Sequence, residues 1–96
     1  MPIAPKIIDE VLRSSVGQRA YRIVETLGEK GFDTWWVGGA VRDMLAGKVP
    51  KDIDIATKAK PDQIHASFAR ASGGDESFGS ARVTLGETEF EVTTYR

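Results

Sequence analysis

The alternation of apolar and polar residues predicts a helix over residues 16–30. Apolar residues recur there every three or four positions: Val16, Ala20, Ile23, Val24 and Leu27. This is the spacing of a helix with one buried face. Gly31 follows at the position where a glycine commonly ends a helix. A shorter helix is predicted over residues 6–13.

The next segments predict strands separated by turns and short helices. Residues 32–37 are rich in aromatic and β-branched side chains and indicate a buried strand. Gly38 and Gly39 interrupt this run, and a short helix over residues 40–46 and a second strand over residues 51–57 are predicted after them. Because both glycines break the pattern, we expect a sharp turn between the first strand and the short helix.

The second half of the chain predicts one more helix and a hairpin. Pro61 suits the first turn of a helix, with Ile64 and Phe68 on its inner face. Residues 72–75 are expected to form a loop. Residues 81–85 and 89–95 alternate apolar and polar side chains around Gly86, which favours a β-hairpin. The order of elements predicts an α+β (α/β) fold, a small mixed sheet with helices packed on one face.

Composition limits the possible classes of protein. Ninety-six residues form one small domain, and the formal net charge of −1 provides no strong basic field to attract RNA. The chain has no cysteine, which excludes disulfides and thiolate metal sites. No stretch has the length and apolar character of a membrane span or a signal peptide, so a cytoplasmic protein without a membrane partner is expected.

Two carboxylates are the strongest candidates for chemistry. Asp52 and Asp54 are two residues apart on the predicted second strand, so they share one face while Ile53 and Ile55 point to the other. Asp is disfavoured in strands, and hard oxygen ligands suit Mg²⁺. The alternative is that both carboxylates simply lie on a solvated strand face.

A third carboxylate is placed by the same alternation. Phe90 and Val92 share one face of the last predicted strand, and Glu91 lies on the other. If the two apolar residues face the core, Glu91 projects beside Asp52 and Asp54. Alternatively, Glu91 is an exposed residue paired with a lysine or arginine.

These residues together resemble the head domain of the tRNA nucleotidyltransferases (CCA-adding enzymes) and the bacterial poly(A) polymerases, within the DNA polymerase β superfamily. The matching motif comprises Gly38, Gly39, Val41, Arg42, Asp43, Leu45, Gly47, Asp52, Asp54, Ala56 and Thr57. A second matching segment comprises Gly79 and Ser80 followed by residues 91–96. The resemblance covers roughly residues 16–96.

The resemblance implies a nucleotidyltransferase fold with an open sheet face as the floor of the active site. It implies two-metal-ion catalysis with Mg²⁺ (or Mn²⁺) held by Asp52 and Asp54, and a possible third acid at Glu91. Gly38, Gly39 and Arg42 would then contact the incoming ATP or CTP. The implied reaction transfers CMP or AMP to the 3′ end of tRNA and releases pyrophosphate. The alternative is a plain strand-to-helix turn in which Arg42 bridges to Asp43 or another acid. Asp43 itself is expected to cap or pair locally.

The resemblance also sets the expected domain organisation. Residues 1–15 are expected to be an N-terminal extension, and residues 16–96 a head domain that is incomplete at its C-terminus. The family continues with helical domains that select the base and hold RNA, so RNA would be held through domains missing from this chain. Ser80 and Ala81 stand where the family usually has Thr and a β-branched residue.

Several interpretations therefore remain open. The chain could be a CCA-adding head, a poly(A) polymerase head, or a nucleotide- or partner-binding module without turnover. The motif argues against a small nucleotidyltransferase acting on a protein or an antibiotic. Of Trp35 and Trp36, one is expected in the core, and the other could stack a base or cover the sheet. His65 is interpreted as a surface or partly buried residue rather than a ligand.

Overall fold

Helices and strands alternate along the chain in the computed structural model, which describes residues 3–72 and 79–95. The helices are α1 (Pro5–Arg13), α2 (Ser15–Glu29), α3 (Gly39–Leu45) and α4 (Pro61–Ser67). The strands are β1 (Thr34–Val37), β2 (Asp54–Thr57), β3 (Ala71–Ser72), β4 (Ser80–Leu85) and β5 (Thr88–Thr94). The predicted α+β class is confirmed.

The strands form one mixed sheet in the order β1-β2-β5-β4-β3. Neighbouring strands are antiparallel except β2 and β5, which are parallel, with Ile55 opposite Val92. The parallel pair matters most for the site because it joins two segments that are distant in sequence. The predicted hairpin is present as β4 and β5.

The helices cover one face of this sheet. Ile55, Val83 and Val92 are fully buried, and they belong to one cluster with Ile23 of α2 and Ile64 of α4. Each such side chain, when fully buried, contributes about 1.5–3 kcal/mol through the hydrophobic effect. The opposite face of the sheet carries the residues that alternate with these, such as Trp35, Asp54 and Glu91. We call it the open face.

The first helix joins the fold through a second, smaller cluster. Ile7 and Val11 of α1 pack with Met44 of α3. Ser14 caps α2 by accepting a hydrogen bond from the Gly17 N–H at 3.1 Å, which satisfies one of the unpaired donors of the first turn. Within residues 3–72 and 79–95, no helix has both the length and the apolar character needed to cross a membrane.

The first strand corrects one prediction. It was expected to be buried, but β1 lies at the sheet edge and pairs only with β2. Trp35 and Val37 lie on the face opposite the main apolar cluster and are 52% and 37% exposed. Trp36 points the other way and packs against both clusters, so the prediction of one core tryptophan is confirmed.

Two other boundaries differ from expectation. Strand β2 begins at Asp54, so Asp52 lies in the extended segment just before the strand rather than within it. Ser72, which was predicted to lie in a loop, belongs to the two-residue strand β3. Residues 73–75 of that predicted loop lie outside the described residues.

Candidate active site

A buried threonine links β1 and β2, the two strands that carry part of the candidate site. Thr57, at the end of β2, is fully buried, and its hydroxyl lies 2.9 Å from the hydroxyl of Thr34 on β1. It also accepts a hydrogen bond from the Ala59 N–H at 3.2 Å. These hydrogen bonds tie β2 to the edge strand β1 and to the turn that follows β2.

Asp52 and Asp54 are exposed, while Ile53 and Ile55 are buried at 3% and 0% exposure. The predicted alternation thus holds even though Asp52 precedes the strand. Both carboxylates line an open cavity of about 470 Å³. They also line a neighbouring cavity of about 500 Å³ that contains Gly39. The pair therefore stands between two concave surfaces.

The glycine turn lies directly against this pair. Gly38 has φ of 71° and ψ of −137°, a conformation that disfavours any residue with a Cβ. A Cβ at this position would lie 3.7 Å from Oδ2 of Asp54. The contact arises because Val37, the preceding residue, pairs with Asp54 in the β1–β2 ladder. The sharp turn predicted from the glycines is therefore present, and its backbone is open toward the carboxylate.

Arg42 reaches back from α3 over the same turn. Its Nη2 atom lies 3.6 Å from the position that a Cβ would occupy on Gly39. Within the described residues, Arg42 forms no ion pair with Asp43 or any other acid. The predicted capping or pairing by the Asp43 side chain is not found among the described residues; only its backbone carbonyl takes part, accepting from the Lys48 N–H at 2.8 Å. The guanidinium is thus left available to an anionic ligand.

Glu91 reaches the site through the parallel β2–β5 ladder. Ile55 pairs with Val92. Asp54 and Glu91, one residue before each of these, therefore lie side by side on the open face. Both line the first cavity. Glu91 makes no ion pair in the part of the chain that is described, whereas Glu89 pairs with Arg82 at 3.8 Å. The structure thus brings Glu91 beside the two aspartates, and its role stays a prediction.

The donor set fits a divalent cation that is shared with a ligand. Among residues 3–72 and 79–95, no three His, Cys, Asp or Glu side chains are arranged to hold a metal by themselves. Two exposed carboxylates suit Mg²⁺ nevertheless, because this ion keeps several waters and is commonly held by one or two carboxylates plus substrate phosphates. Asp52 and Asp54 therefore fit this ion. His65 is exposed on α4 and belongs to no such group.

Arg82 is a site residue that the sequence did not single out. It lies opposite Glu91 in the β4–β5 ladder and lines the first cavity together with Lys51. An arginine in a strand usually marks a solvated face, so the only available signal was its register in the hairpin. Arg82 and Lys51 provide positive charge beside the three acids.

An aromatic pair occupies the other end of the open face. The rings of Trp35 and Tyr95 have centroids 5.2 Å apart and are tilted by 43°. The hydroxyl of Tyr95 is buried and lacks a hydrogen-bond partner among the described residues. Its burial, together with the negative charge of Asp33, raises the pKa of Tyr95. The phenol is therefore neutral at physiological pH.

Comparison with known proteins identifies the family. The family model for the Poly A polymerase head domain matches residues 34–96. Poly(A) polymerase I of Salmonella typhi is 35% identical over 96 residues, covering 100% of this chain and 21% of that protein. The CCA-adding enzyme of Geobacillus thermodenitrificans is 40% identical over 79 residues, covering 82% of this chain and 20% of that protein.

A solved structure agrees with these relatives. The crystal structure of the Bacillus stearothermophilus CCA-adding enzyme in complex with CTP matches with a TM-score of 0.78 and 36% identity, covering 85% of this chain and 21% of that one. The chain thus spans about a fifth of the length of the curated relatives it matches. It belongs to the poly(A) polymerase head-domain family, whose matched members, the CCA-adding enzymes and poly(A) polymerase, are nucleotidyltransferases.

Proposed function

We propose that this chain is the catalytic head of a template-independent RNA nucleotidyltransferase that transfers CMP and AMP from CTP and ATP to the 3′ end of tRNA. One observation carries the proposal: the Asp54 carboxylate lies against the Gly38 turn, exposed and beside Asp52. Two carboxylates that have no hydrogen-bond or ion-pair partner among residues 3–72 and 79–95 lie next to a turn that a phosphate can approach. They form a suitable site for a metal-bound triphosphate.

Each residue has a distinct role in the proposed site. Asp52 and Asp54 would hold Mg²⁺ or Mn²⁺, and Glu91 would add a third negative charge at the level of Asp54. Bound divalent ions would acidify the attacking hydroxyl and neutralise charge on the triphosphate. The backbone at Gly38 and Gly39 would allow close approach of the phosphates, and the Arg42 guanidinium can bind two phosphate oxygens at once.

The proposed reaction is a single displacement at the α-phosphorus. The 3′-oxygen of the RNA forms a bond to the α-phosphorus while the bond between the α- and β-phosphates breaks, and pyrophosphate leaves. The protein contributes position and charge rather than a covalent intermediate. The rigid β1–β2 frame, anchored by Thr57, would keep the carboxylates fixed relative to the glycine turn.

A residue-resolved NMR titration of the chain with CTP or ATP and Mg²⁺ tests the site. Shifts should cluster at Gly38, Gly39, Arg42, Asp52 and Asp54 and be lost in Asp54→Asn. Asp9→Asn removes an exposed carboxylate from α1 and should leave the shifts unchanged. A folded chain that shows no response to millimolar nucleotide would contradict the proposal that the head forms the nucleotide site.

A poly(A) polymerase head is the second candidate. The match to poly(A) polymerase I along the whole chain, at 35% identity, favours it. Incorporation assays on tRNA that lacks its terminal CCA separate the two: CMP followed by AMP indicates CCA addition, and AMP alone on unrelated RNAs indicates poly(A) synthesis. Nucleotide binding without any incorporation would favour a binding module, an alternative supported by the net charge of −1.

A further inference from the structure

Trp35 is a large aromatic residue that the fold leaves uncovered beside the candidate site. It pairs with Ala56 in the β1–β2 ladder, and Val37, two residues further along, pairs with Asp54. Trp35 therefore lies on the same open face as the carboxylates, about 7 Å away along the strand direction. Its side chain is 52% exposed, and the ring has a face available for contact.

Tyr95 supports this ring from the side. The Tyr95 N–H donates to the carbonyl of Thr57 at 3.0 Å. Tyr95 therefore still lies alongside the end of β2, although strand β5 ends at Thr94. Its ring contacts Trp35 with centroids 5.2 Å apart. The Tyr95 hydroxyl is buried, whereas Trp35 is 52% exposed, so Trp35 is the more exposed member of the pair. A supported indole is a suitable platform because every nucleobase has a face that can stack on it.

Two lysines continue the same surface away from the carboxylates. Lys58 and Lys60 line an open cavity of about 540 Å³ together with Tyr95 and Asp62. Both lysines are exposed, and neither forms an ion pair within residues 3–72 and 79–95. Along β2 and its continuation, the molecule thus presents carboxylates, then the aromatic pair, then cations. Asp62 and Asp33 reduce the positive charge there, so a strong nonspecific attraction is not expected.

We propose that Trp35 and Tyr95 form a base-stacking site for single-stranded RNA, with Lys58 and Lys60 meeting the adjoining phosphates. A nucleotide close to the reacting 3′ end stacks on Trp35, which directs the terminal hydroxyl toward Asp52 and Asp54. This site rests on the proposed function, since it assigns a place to the RNA of that reaction. The combination of an exposed aromatic face and unpaired cations favours a nucleic acid over a protein segment.

The test is an NMR titration of the 96-residue chain with unstructured oligo(A) and oligo(C) RNA. The indole N–H of Trp35 and the Tyr95 ring should shift, while Trp36 on the core face should not. Trp35→Leu keeps apolar area but removes the stacking ring, and it should weaken RNA binding by about tenfold, within the range for one stacked base. Trp35→Phe should lose less, because it retains an aromatic face.

Tyr21→Leu is the matched control, since Tyr21 on α2 is also 52% exposed. This variant should bind RNA as the parent chain does. Equal weakening by Trp35→Leu and Tyr21→Leu would overturn the stacking site, as would RNA-induced shifts that leave Trp35 unmoved.

Titration of the same samples with CTP and Mg²⁺ separates this inference from the proposed function. If the nucleotide shifts the carboxylate region and RNA leaves Trp35 unmoved, the stacking site is wrong while the nucleotide site stands. If RNA shifts Trp35 and the nucleotide produces no response, the stacking site stands as an RNA contact and the proposed catalytic role fails. Trp35→Leu should retain the nucleotide response, because Trp35 lines neither of the cavities that the carboxylate pair lines.

Discussion

At the scale of single residues, the chemistry of an acid in this domain depends on what lies beside it. Glu89 and Glu91 are both exposed residues of β5. Glu89 has Arg82 at 3.8 Å, whereas Glu91 has Asp54 at its own level in the parallel ladder. A carboxylate beside like charge and without a cation partner is the better candidate for holding a metal ion.

Glu91→Gln is therefore expected to weaken Mg²⁺-dependent nucleotide binding by roughly tenfold, the lower end of what loss of a supporting group costs a metal site. Isothermal titration of the chain with CTP and Mg²⁺ measures this effect. Glu89→Gln removes a carboxylate from the same strand and should change the affinity little. If both variants bind alike, Glu91 does not belong to the metal site.

Thr57 provides a second test at this scale, one of stability. Thr57→Val removes a buried hydroxyl that hydrogen-bonds with the Thr34 hydroxyl and with the Ala59 N–H. The Ala59 N–H then loses its partner, which should lower the free energy of unfolding by about 1–3 kcal/mol. Urea denaturation gives the value. Thr93→Val, at an exposed position of β5, should be close to neutral, and a similar loss in both variants would contradict the role assigned to Thr57.

The sequence predicts those parts of the site that are close together along the chain better than those brought together by strand pairing. Strand alternation predicted that Asp52 and Asp54 share one face, and the two glycines precede them closely in the sequence. The contact of Asp54 with the Gly38 turn depends on the β1–β2 register, in which Val37 pairs with Asp54. Placing Glu91 required the assumption that β2 and β5 face one core. Arg82 and Tyr95 were not predicted as neighbours of the site, because their positions depend on the β4–β5 register and on the edge strand.

At the scale of elements, the junction of α1 and α2 depends on one glycine. A Cβ on Gly17 would clash with the backbone of Val11, whose carbonyl carbon would lie only 2.6 Å away. Gly17→Ala should therefore separate α1 from α2 and destabilise the fold by about 1–3 kcal/mol. Circular dichroism with urea denaturation measures the effect.

Gly28 supplies the matched control in the same helix. A Cβ there meets nothing within 4 Å, so Gly28→Ala should raise stability by about 0.4–1 kcal/mol through the reduced entropy of the unfolded chain. If Gly17→Ala lowers the free energy of unfolding and Gly28→Ala raises it, the close approach of the Val11 backbone, rather than helix propensity, is what requires glycine at position 17. Loss of stability in both would contradict this interpretation.

Elements with strong periodicity were predictable, and elements that depend on their neighbours were not. The stripe through Ala20, Ile23 and Leu27 predicted α2, and alternation predicted the hairpin. The aromatic run of β1 indicated burial, but its side chains alternate between two faces: Trp36 packs against the apolar clusters, and Trp35 on the open face is exposed. Strand β3 has two residues and exists through its pairing with β4, so no local signal could identify it.

At the scale of the whole molecule, the fold separates packing from chemistry. The helices and the main apolar cluster lie on one face of the sheet, while the candidate acids and Trp35 lie on the open one. Substitutions on the open face can therefore alter binding with little cost in stability. The formal net charge of −1 means that attraction of RNA must come from local contacts rather than from an overall field.

The salt dependence of RNA binding measures how local those contacts are. If Lys58 and Lys60 each neutralise one phosphate, the logarithm of the binding constant should fall with the logarithm of salt concentration with a slope of about −1.4, since a single strand contributes about −0.7 per phosphate. Raising NaCl from about 50 to about 200 mM should then weaken binding about sevenfold. Lys58→Gln should halve the slope, whereas Lys6→Gln on α1 should leave it unchanged. A slope near zero would show that neither lysine contacts an RNA phosphate. A slope several times steeper would require further basic residues that contact phosphates.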